Sequence, residues 1–331
     1  MSQNAPKVCV VVLNFNGMDV NEACLSSLQR SDYANLTILV VDNASTDESA
    51  AWIEQNCPRV KLLRNKKNGG WAGGNNEGIR VALAEGADFV WLLNNDVEVE
   101  PRCIRALVDY AGKNPDAGIL SPVIHFMDPR DRIWFQGGMV DRAACEVTHC
   151  DTLSLFERLP QDERCASGCT MFVRSSVFKQ VGPIDEQFFM YYEDTDFSIR
   201  AARAGFGIEV VEGSKLYHKV GASIGGVEGA TPLKVYHIFR SGLIFWRKHL
   251  GWWQFHRRYC DGHLAKWMNA LDVEWSDAVR RDRAQAVIDA LWYFVSGKRN
   301  ALERPASPGW FTRWVVRRPW LVARLMAFRL G

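Results

Sequence analysis

Four short apolar runs constrain what this chain can fold into. They are "VCVVVL" (Val8–Leu13), "LTILVV" (Leu36–Val41), "VKLL" (Val60–Leu63) and "FVWLL" (Phe89–Leu93). Runs that are apolar at nearly every position suit strands covered on both faces. Segments of helical character lie between them. Asp19–Arg30 is one, and a second opens at "STDE", where Ser45 and Glu48 have capping-box spacing. A third follows "GGNNEGI" and stops near Gly86, and a fourth, Pro101–Gly112, carries proline in its first turn. This alternation predicts an α/β domain built around a mostly parallel sheet.

Each strand is followed by a polar segment: "NFNG", "DNAST", "RNKKNGGWAGGNN" and "NNDVE" in turn. In open parallel sheets, ligands bind beyond the carboxyl ends of the strands. Asn14, Asn16, Asp42, Asn43, the stretch holding Gly70, Trp71, Gly73, Gly74 and Asn75, and then Asn94, Asn95 and Asp96 all fall there. One such loop would be turn chemistry; four in a row point to a site. The glycine stretch lacks GxGxxG spacing and follows the third strand, so it is not a dinucleotide fingerprint, and no Gly-Lys-Ser/Thr makes it a P-loop. It reads as flexible backbone opening a helix, suited to close approach of a phosphate or sugar. An Asp at a strand end beside such a loop supplies the oxygen ligand that hard divalent ions take, although an isolated "NND" is more often an Asx turn.

Further along, "FFMYYEDTDFSIRAARAG" (Phe188–Gly205) crowds Glu193, Asp194 and Asp196 into four positions behind a wall of aromatics. Acids favour a helix's first turn, and Phe197, Ala201 and Ala204 recur at helical spacing up to a Gly205 stop. A helix start explains one or two of the three acids. "KLYHKVGASIGG" puts His218 after the β-like "GIEVVEG", with Lys219, Ser223 and several glycines forming a polar loop suited to cover an anionic group.

These pieces occur together and in order: "VVVLNFNG", "ILVVDNASTDES", "NGGWAGGNNEGI", "LLNNDVEVEP", "GCTMFVRSSVFKQVGPIDEQFFMYYEDTDFSIRAARAGF" and "LYHKVGASIGG". The set resembles a family 2 inverting glycosyltransferase of the bacterial rhamnosyltransferase-like branch, over roughly residues 7–226. The resemblance implies a GT-A fold, Rossmann-like with a mostly parallel sheet, and a nucleotide-sugar donor. It implies that Asp42 contacts the nucleoside and that Asp96, last in the strand-end DxD motif, holds Mg²⁺ or Mn²⁺. Asn94 stands where the first acid of that motif belongs, and His218 matches a metal-binding histidine of some relatives.

Asp194, the Asp of an "ED" pair, matches the base that takes the acceptor proton. Glu193 is then acceptor-binding or supporting, and Asp196 a helix-start or orienting residue. Charge on the departing nucleoside diphosphate would be met by the metal and by backbone N–H groups around Gly73 and Gly74. The expected donor is dTDP-L-rhamnose, with UDP-galactofuranose or a UDP-N-acetylhexosamine as alternatives, and the acceptor a glycan or lipid-linked glycan. Candidates for the hexose pocket are Trp134, Gln136 and Asp141. From another class, a non-catalytic sugar-nucleotide sensor or scaffold is supported by Asn94 alone.

Whole-chain balance excludes little, but its split is informative. In a chain of 331 residues, positions 232–331 hold 18 Lys+Arg against 7 Asp+Glu, a net of +11, leaving 22 against 31, a net of −9, for residues 1–231. The same hundred residues carry 9 of the 13 Trp. We therefore divide the chain into a catalytic domain, 1–231, and a basic, Trp-rich helical extension, 232–331. There Tyr236, Phe239, Leu243 and Trp246 lie near helical spacing, and "GWFTRWVVRRPWLVARLMAFRL" has five Arg and no acid. A helix lying on an anionic membrane suits this mixture. The alternative is a helical subdomain packing its Trp residues on the catalytic part or on a second subunit of a homo-oligomer. No nucleic-acid reader motif is present, so nucleic acid is not expected as a partner.

The nine Cys include no CxxC pair and no zinc-like spacing, which fits a reducing compartment. "MSQNAPK" lacks a signal-peptide layout, and no apolar run approaches the ~20 residues of a membrane span. The expected location is cytoplasmic, peripheral on the inner face of the cytoplasmic membrane.

Overall fold

The computed structural model describes residues 5–220, 231–264, 280–296 and 304–317, and these fall into two compact units. Among the described residues, the first comprises 5–139, 148–186 and 193–220; the second comprises 140–147, 187–192, 231–264, 280–296 and 304–317.

In the first unit, the strands β1 (Val8–Asn14), β2 (Leu36–Asp42), β3 (Lys61–Arg64), β4 (Phe89–Asn94), β5 (Val97–Val99), β6 (Ala117–Phe126), β7 (Ile133–Phe135), β11 (Thr170–Arg174) and β12 (Gly207–His218) form one sheet. Its order is β3-β2-β1-β4-β11-β6-β12-β5, with β7 on β6. The β3-β2-β1-β4 half is parallel, whereas β11 runs antiparallel to both β4 and β6. A hairpin of β8 (Gly138–Asp141) and β9 (Glu146–His149) leaves the sheet, and β10 (Arg164–Cys165) pairs with its base at Gly138 and Met139.

Side chains alternate across the sheet, so continuous apolar runs feed two cores. Val8, Val10 and Val12 face Cys24, Leu25 and Leu28 of α1 (Asn21–Gln29) and Ile104 and Leu107 of α4 (Cys103–Lys113). Cys9 and Val11 face Ala72, Ile79 and Ala82 of α3 (Gly70–Ala84), in a core shared with Phe178 of α6 (Ser175–Val181) and Phe197 of α7 (Glu193–Arg203). Helices α2 (Ser49–Asn56) and α5 (Leu153–Arg158) complete the unit. All nine cysteines are buried and unpaired, as small apolar residues.

Four local expectations change. The run around Val60 is an edge strand, with Lys61 and Arg64 exposed, and is not covered on both faces. The third helix starts at Gly70, inside the glycine motif, because Gly74 and Gly78 lie against β1. A Cβ on Gly74 would come within 2.4 Å of Leu13, and one on Gly78 within 2.3 Å of Val11. The capping box does not form: α2 starts at Ser49 with no side-chain cap from Glu48, since Ser45 is taken up by the ends of β1 and β2. His218 is the last residue of a strand rather than a loop residue, paired with Val97 and Phe126. Ser223 and the glycines beside it lie outside the described residues.

The second unit is helical. Thr231 caps α8 (Pro232–His249), accepting from the Lys234 N–H at 3.3 Å, and α9 (Trp252–Gln254) runs on into a π-helical stretch, Phe255–Leu264. Then come α10 (Arg281–Ser296), packed along α8, and α11 (Gly309–Arg317). Tyr236, Phe239, Leu243 and Trp246 are all buried. That stripe is a packing face. Residues 318–331, with the last three arginines of the basic tail, lie outside the described residues.

Candidate active site

The polar segments meet, as parallel topology dictates, at the carboxyl ends of β1, β2 and β4. Asn14 is fully buried at the end of β1. Its amide donates to Asp42 Oδ1 (2.9 Å), Ser49 Oγ (3.0 Å) and Ser45 Oγ (3.2 Å), and its oxygen accepts from Asn21 (2.9 Å) and Asn95 (3.2 Å). Asn95 also donates to Asn21 Oδ1 at 2.8 Å. Gly17 allows this, because a Cβ there would stand 2.1 Å from the Asn95 nitrogen. Asp42, 4% exposed, accepts additionally from the Ser45 N–H at 3.3 Å. Asn16, in the left-handed region at φ 52°, accepts from the Thr46 N–H at 2.8 Å.

Asn43 donates to Asn68 Oδ1 and Gly70 O, both at 2.9 Å, and accepts from Gly69 N at 3.0 Å. Asn14 and Asn43 thus use their amides to shape loops. Asn75 donates to Trp71 O at 2.9 Å, and its buried Oδ1 accepts no hydrogen bond among the described residues. The N–H of Gly73, expected to face a leaving group, donates to Gly69 O at 3.2 Å inside the helix start. The N–H of Gly70 donates to Asn68 Oδ1 at 2.8 Å.

Asn94 has a partner of its own: its Oδ1 accepts the Trp71 indole N–H at 3.1 Å. The residue that departs from DxD therefore ties α3 to the end of β4. Beside it, Gly168 and Cys169 link two groups of side chains. The Gly168 N–H donates to Asp194 Oδ2 at 2.7 Å, and a Cβ on Gly168 would lie 3.1 Å from that oxygen and 3.4 Å from the Trp71 ring. Cys169 receives the Asn94 N–H on its carbonyl (3.0 Å), and its thiol hydrogen-bonds His218. His218 Nε2 lies 3.3 Å from Asp96 Oδ1, and both side chains are buried. Burial opposes the imidazolium, but Cys169 and the Asp96 carboxylate outweigh it and hold the His218 pKa up to about 10.

The three acids at the start of α7 separate by environment. Asp196 is fully buried and paired with Arg200 at 2.8 Å, and Arg200 also donates to Val181 O and Pro183 O, so Asp196 is structural. Glu193 is 5% exposed; burial first and Asp194 second push its pKa well above the carboxylate range, and its Oε2 has no hydrogen-bond partner among the described residues. Asp194 is half-buried, and its Oδ1 accepts from the Thr195 N–H at 2.6 Å. Burial raises its pKa, while the Gly168 and Thr195 donors pull the other way.

Of the hexose-pocket candidates, Trp134 reaches this region, edge-on to His218 at 4.7 Å and to His149 at 5.0 Å. Gln136 donates to Asp151 O at 2.6 Å, and Asp141 caps a turn by accepting from Ala143 and Ala144 N–H, so neither joins the group. Sequence reasoning missed Ser45, Ser49, Asn21, Gly168 and His149. The "DNAST" run held a signal for Ser45, whereas Gly168 is visible only once β11 is seen to lie beside β4. A cavity of about 440 Å³ near Tyr110, Lys113 and Phe206 contains none of these residues.

Asp96 and His218 offer one carboxylate oxygen and one imidazole nitrogen, and no group of three or more His, Cys, Asp or Glu ligands occurs among the described residues. Such a pair fits a divalent ion whose remaining ligands are diphosphate oxygens and water, provided that the ion displaces the proton His218 otherwise holds beside Asp96.

Comparisons with known proteins bear on the family and the fold. The model of the glycosyl transferase family 2 domain matches residues 9–182. The N-acetylglucosaminyl-diphospho-decaprenol L-rhamnosyltransferase of Mycobacterium tuberculosis is 33% identical over 270 residues, covering 74% of this chain and 86% of its own. A dTDP-rhamnosyl transferase of Shigella flexneri is 27% identical over 229 residues, covering 65% and 72%. In fold, the chain is similar to a Pyrobaculum calidifontis mannosyltransferase solved with GDP-Man and Mn²⁺, with a TM-score of 0.55 at 16% identity over 98% of this chain and 88% of that one. Neighbours of this kind are GT-A glycosyltransferases. The match to the family model spans more than half of the chain, which therefore belongs to glycosyl transferase family 2 and is a glycosyltransferase.

Proposed function

We propose that the chain is an inverting rhamnosyltransferase that moves L-rhamnose from dTDP-L-rhamnose onto a hydroxyl of a lipid-linked glycan. One observation carries the reading. Asp194 has its carboxylate fixed by the Gly168 and Thr195 N–H groups, beside the glycine that separates it from Trp71, with its pKa raised by burial. A carboxylate held in a fixed orientation, with burial favouring its protonated form, suits a group that takes a proton from an acceptor hydroxyl. In the reaction, the acceptor hydroxyl gives its proton to Asp194 as its oxygen bonds to the anomeric carbon, and the bond from that carbon to the diphosphate breaks. The nucleoside diphosphate leaves with the electron pair, and the configuration inverts.

Asp42 serves the nucleoside, with Asn14, Asn43 and Asn95 holding the loops around it. Asp96 and His218 are the residues that would hold Mg²⁺ or Mn²⁺, and a bound ion supplies counter-charge for the departing diphosphate. Glu193 supports Asp194. The bond from Trp71 to Asn94 gives that asparagine a structural task, which removes the argument for a non-catalytic sensor. The rhamnosyl donor and the lipid-linked acceptor are supported by the two bacterial relatives. Residues 1–231 form the catalytic domain in this reading, and the basic extension 232–331 makes peripheral contact with the membrane that carries the acceptor, on its cytoplasmic face.

The test is nucleotide release from dTDP-L-rhamnose, UDP-galactofuranose and UDP-N-acetylglucosamine, with Mg²⁺, Mn²⁺ or EDTA. Metal-dependent release from dTDP-L-rhamnose is expected. Asp194→Asn should abolish turnover by a factor on the order of 10²–10⁴ while keeping donor binding. Equal turnover in Asp194→Asn would remove it as the base, and turnover of a UDP-sugar alone would replace the donor.

A further inference from the structure

The residues just before the catalytic pair have an uncommon backbone. Phe189, Tyr191 and Tyr192 sit at φ 53°, 66° and 67°, in the left-handed region that side chains other than Gly, Asn and Asp seldom occupy. Such conformations persist only where surrounding structure over-determines them, and they gather at functional sites. Here the surroundings are one face of α8. Arg240, fully buried, donates to Gln187 O and, at 3.2 Å, to Phe188 O. It is itself fixed by Tyr293 of α10, through a 3.0 Å bond to Oη and by lying 4.4 Å over the ring.

Ser241 donates to Met190 O (2.7 Å) and Phe188 O (3.0 Å). Gly242 leaves room for Tyr192, whose ring would lie 3.5 Å from a Cβ there and packs on Phe245 at 4.9 Å. His237 stacks on Phe189 at 4.9 Å. All these contacts lie inside the second unit. The strap they hold ends at Tyr192, one peptide bond before Glu193 and two before Asp194.

We propose that this strap is a positioning device for the base, with Arg240 as its principal clamp: α8 sets the backbone from which Asp194 projects. The inference rests on Asp194 being the base. An unclamped strap would relax toward ordinary backbone angles and carry the first residues of α7 with it. Donor contacts on β1, β2 and α3 would not change, so the loss falls on turnover and not on donor affinity.

The experiment compares full-length wild type, Arg240→Lys, Ser241→Ala and Asp194→Asn on whichever of the three sugar nucleotides above the wild type turns over. It reads donor Kd, KM, kcat and hydrogen exchange across 187–196. Arg240→Lys keeps the charge but not the fork, and is expected to lower kcat by up to about a hundredfold, the scale of a misplacement near 1 Å. Donor Kd should be unchanged and exchange faster in that peptide alone. Ser241→Ala should move the same readouts less.

Wild-type kcat in both clamp variants, with or without faster exchange, overturns the proposal. Should Arg240→Lys not fold, shown by loss of donor binding, Ser241→Ala decides by the same criteria. Retained turnover in Asp194→Asn fails the reading of the base, whatever the clamp variants do, and a wild type inert on all three donors fails both together.

Discussion

At the scale of single residues, the acidic cluster shows one motif split into three tasks by burial and partners alone. Asp196 has Arg200, Asp194 has two backbone donors, and Glu193 is buried with neither a cation nor a donor on its Oε2 among the described residues. A buried carboxyl without a cation favours its neutral form. The folded chain therefore holds the Glu193 proton more tightly than the unfolded chain does. Stability from this source is fully present below the unfolded carboxylate value and is lost as pH rises through the raised folded one. Glu193→Gln removes the titration. Thermal unfolding at pH 5 and pH 8 should show Glu193→Gln gaining on wild type at the higher pH, by about 2–4 °C for each kcal/mol recovered. A gap independent of pH would mean that Glu193 is ionised in the fold.

At the scale of elements, the sheet and its order of loops were legible because both-face burial writes itself into continuous apolar runs. The polar strand ends were legible because topology forces them together. Helix starts were less so. Ser45 looks like a cap until the end of β1 competes for it, and the glycine motif looks like a loop until β1 is seen to need a smooth surface above it. Nothing in "GCTMF" announces that Gly168 will donate to Asp194, since that bond joins residues 26 positions apart. Glycine in α3 thus serves packing as well as any ligand, and this can be measured. Gly78→Ala puts a methyl group 2.3 Å from Val11 and 3.0 Å from Val41, so α3 must shift from the sheet. Overpacking of this kind typically destabilises by about 1–3 kcal/mol, and denaturant unfolding should report it. Because Gly70 and Trp71 ride on the same helix, donor affinity should weaken too; wild-type stability in Gly78→Ala would contradict the close approach.

At the scale of the whole molecule, the charge split remains the feature that the catalytic reading does not use. Among the described residues no helix is long and apolar enough to cross a membrane. The buried stripe on α8 is a packing face, and the candidate lipid faces lie elsewhere. Trp253 is 72% exposed, with Arg257 and Arg258 also exposed; Trp310 is 60% exposed, with Arg313 and Arg317 exposed on the same turns of α11. Each pairs an indole, which suits the headgroup zone, with cations that suit lipid phosphates. Each cation near an anionic surface contributes roughly 1 kcal/mol, and that attraction fades beyond a Debye length of about 8 Å at physiological salt. Full-length protein should therefore co-sediment with vesicles containing phosphatidylglycerol and not with purely zwitterionic ones, and added salt should release it. Trp253→Glu with Trp310→Glu should weaken this binding while donor turnover in solution stays at the wild-type level. Equal sedimentation with both vesicle types, or none with either, would assign the extension to protein contacts instead. The exposed indoles would then be sought in an interface between copies of this chain.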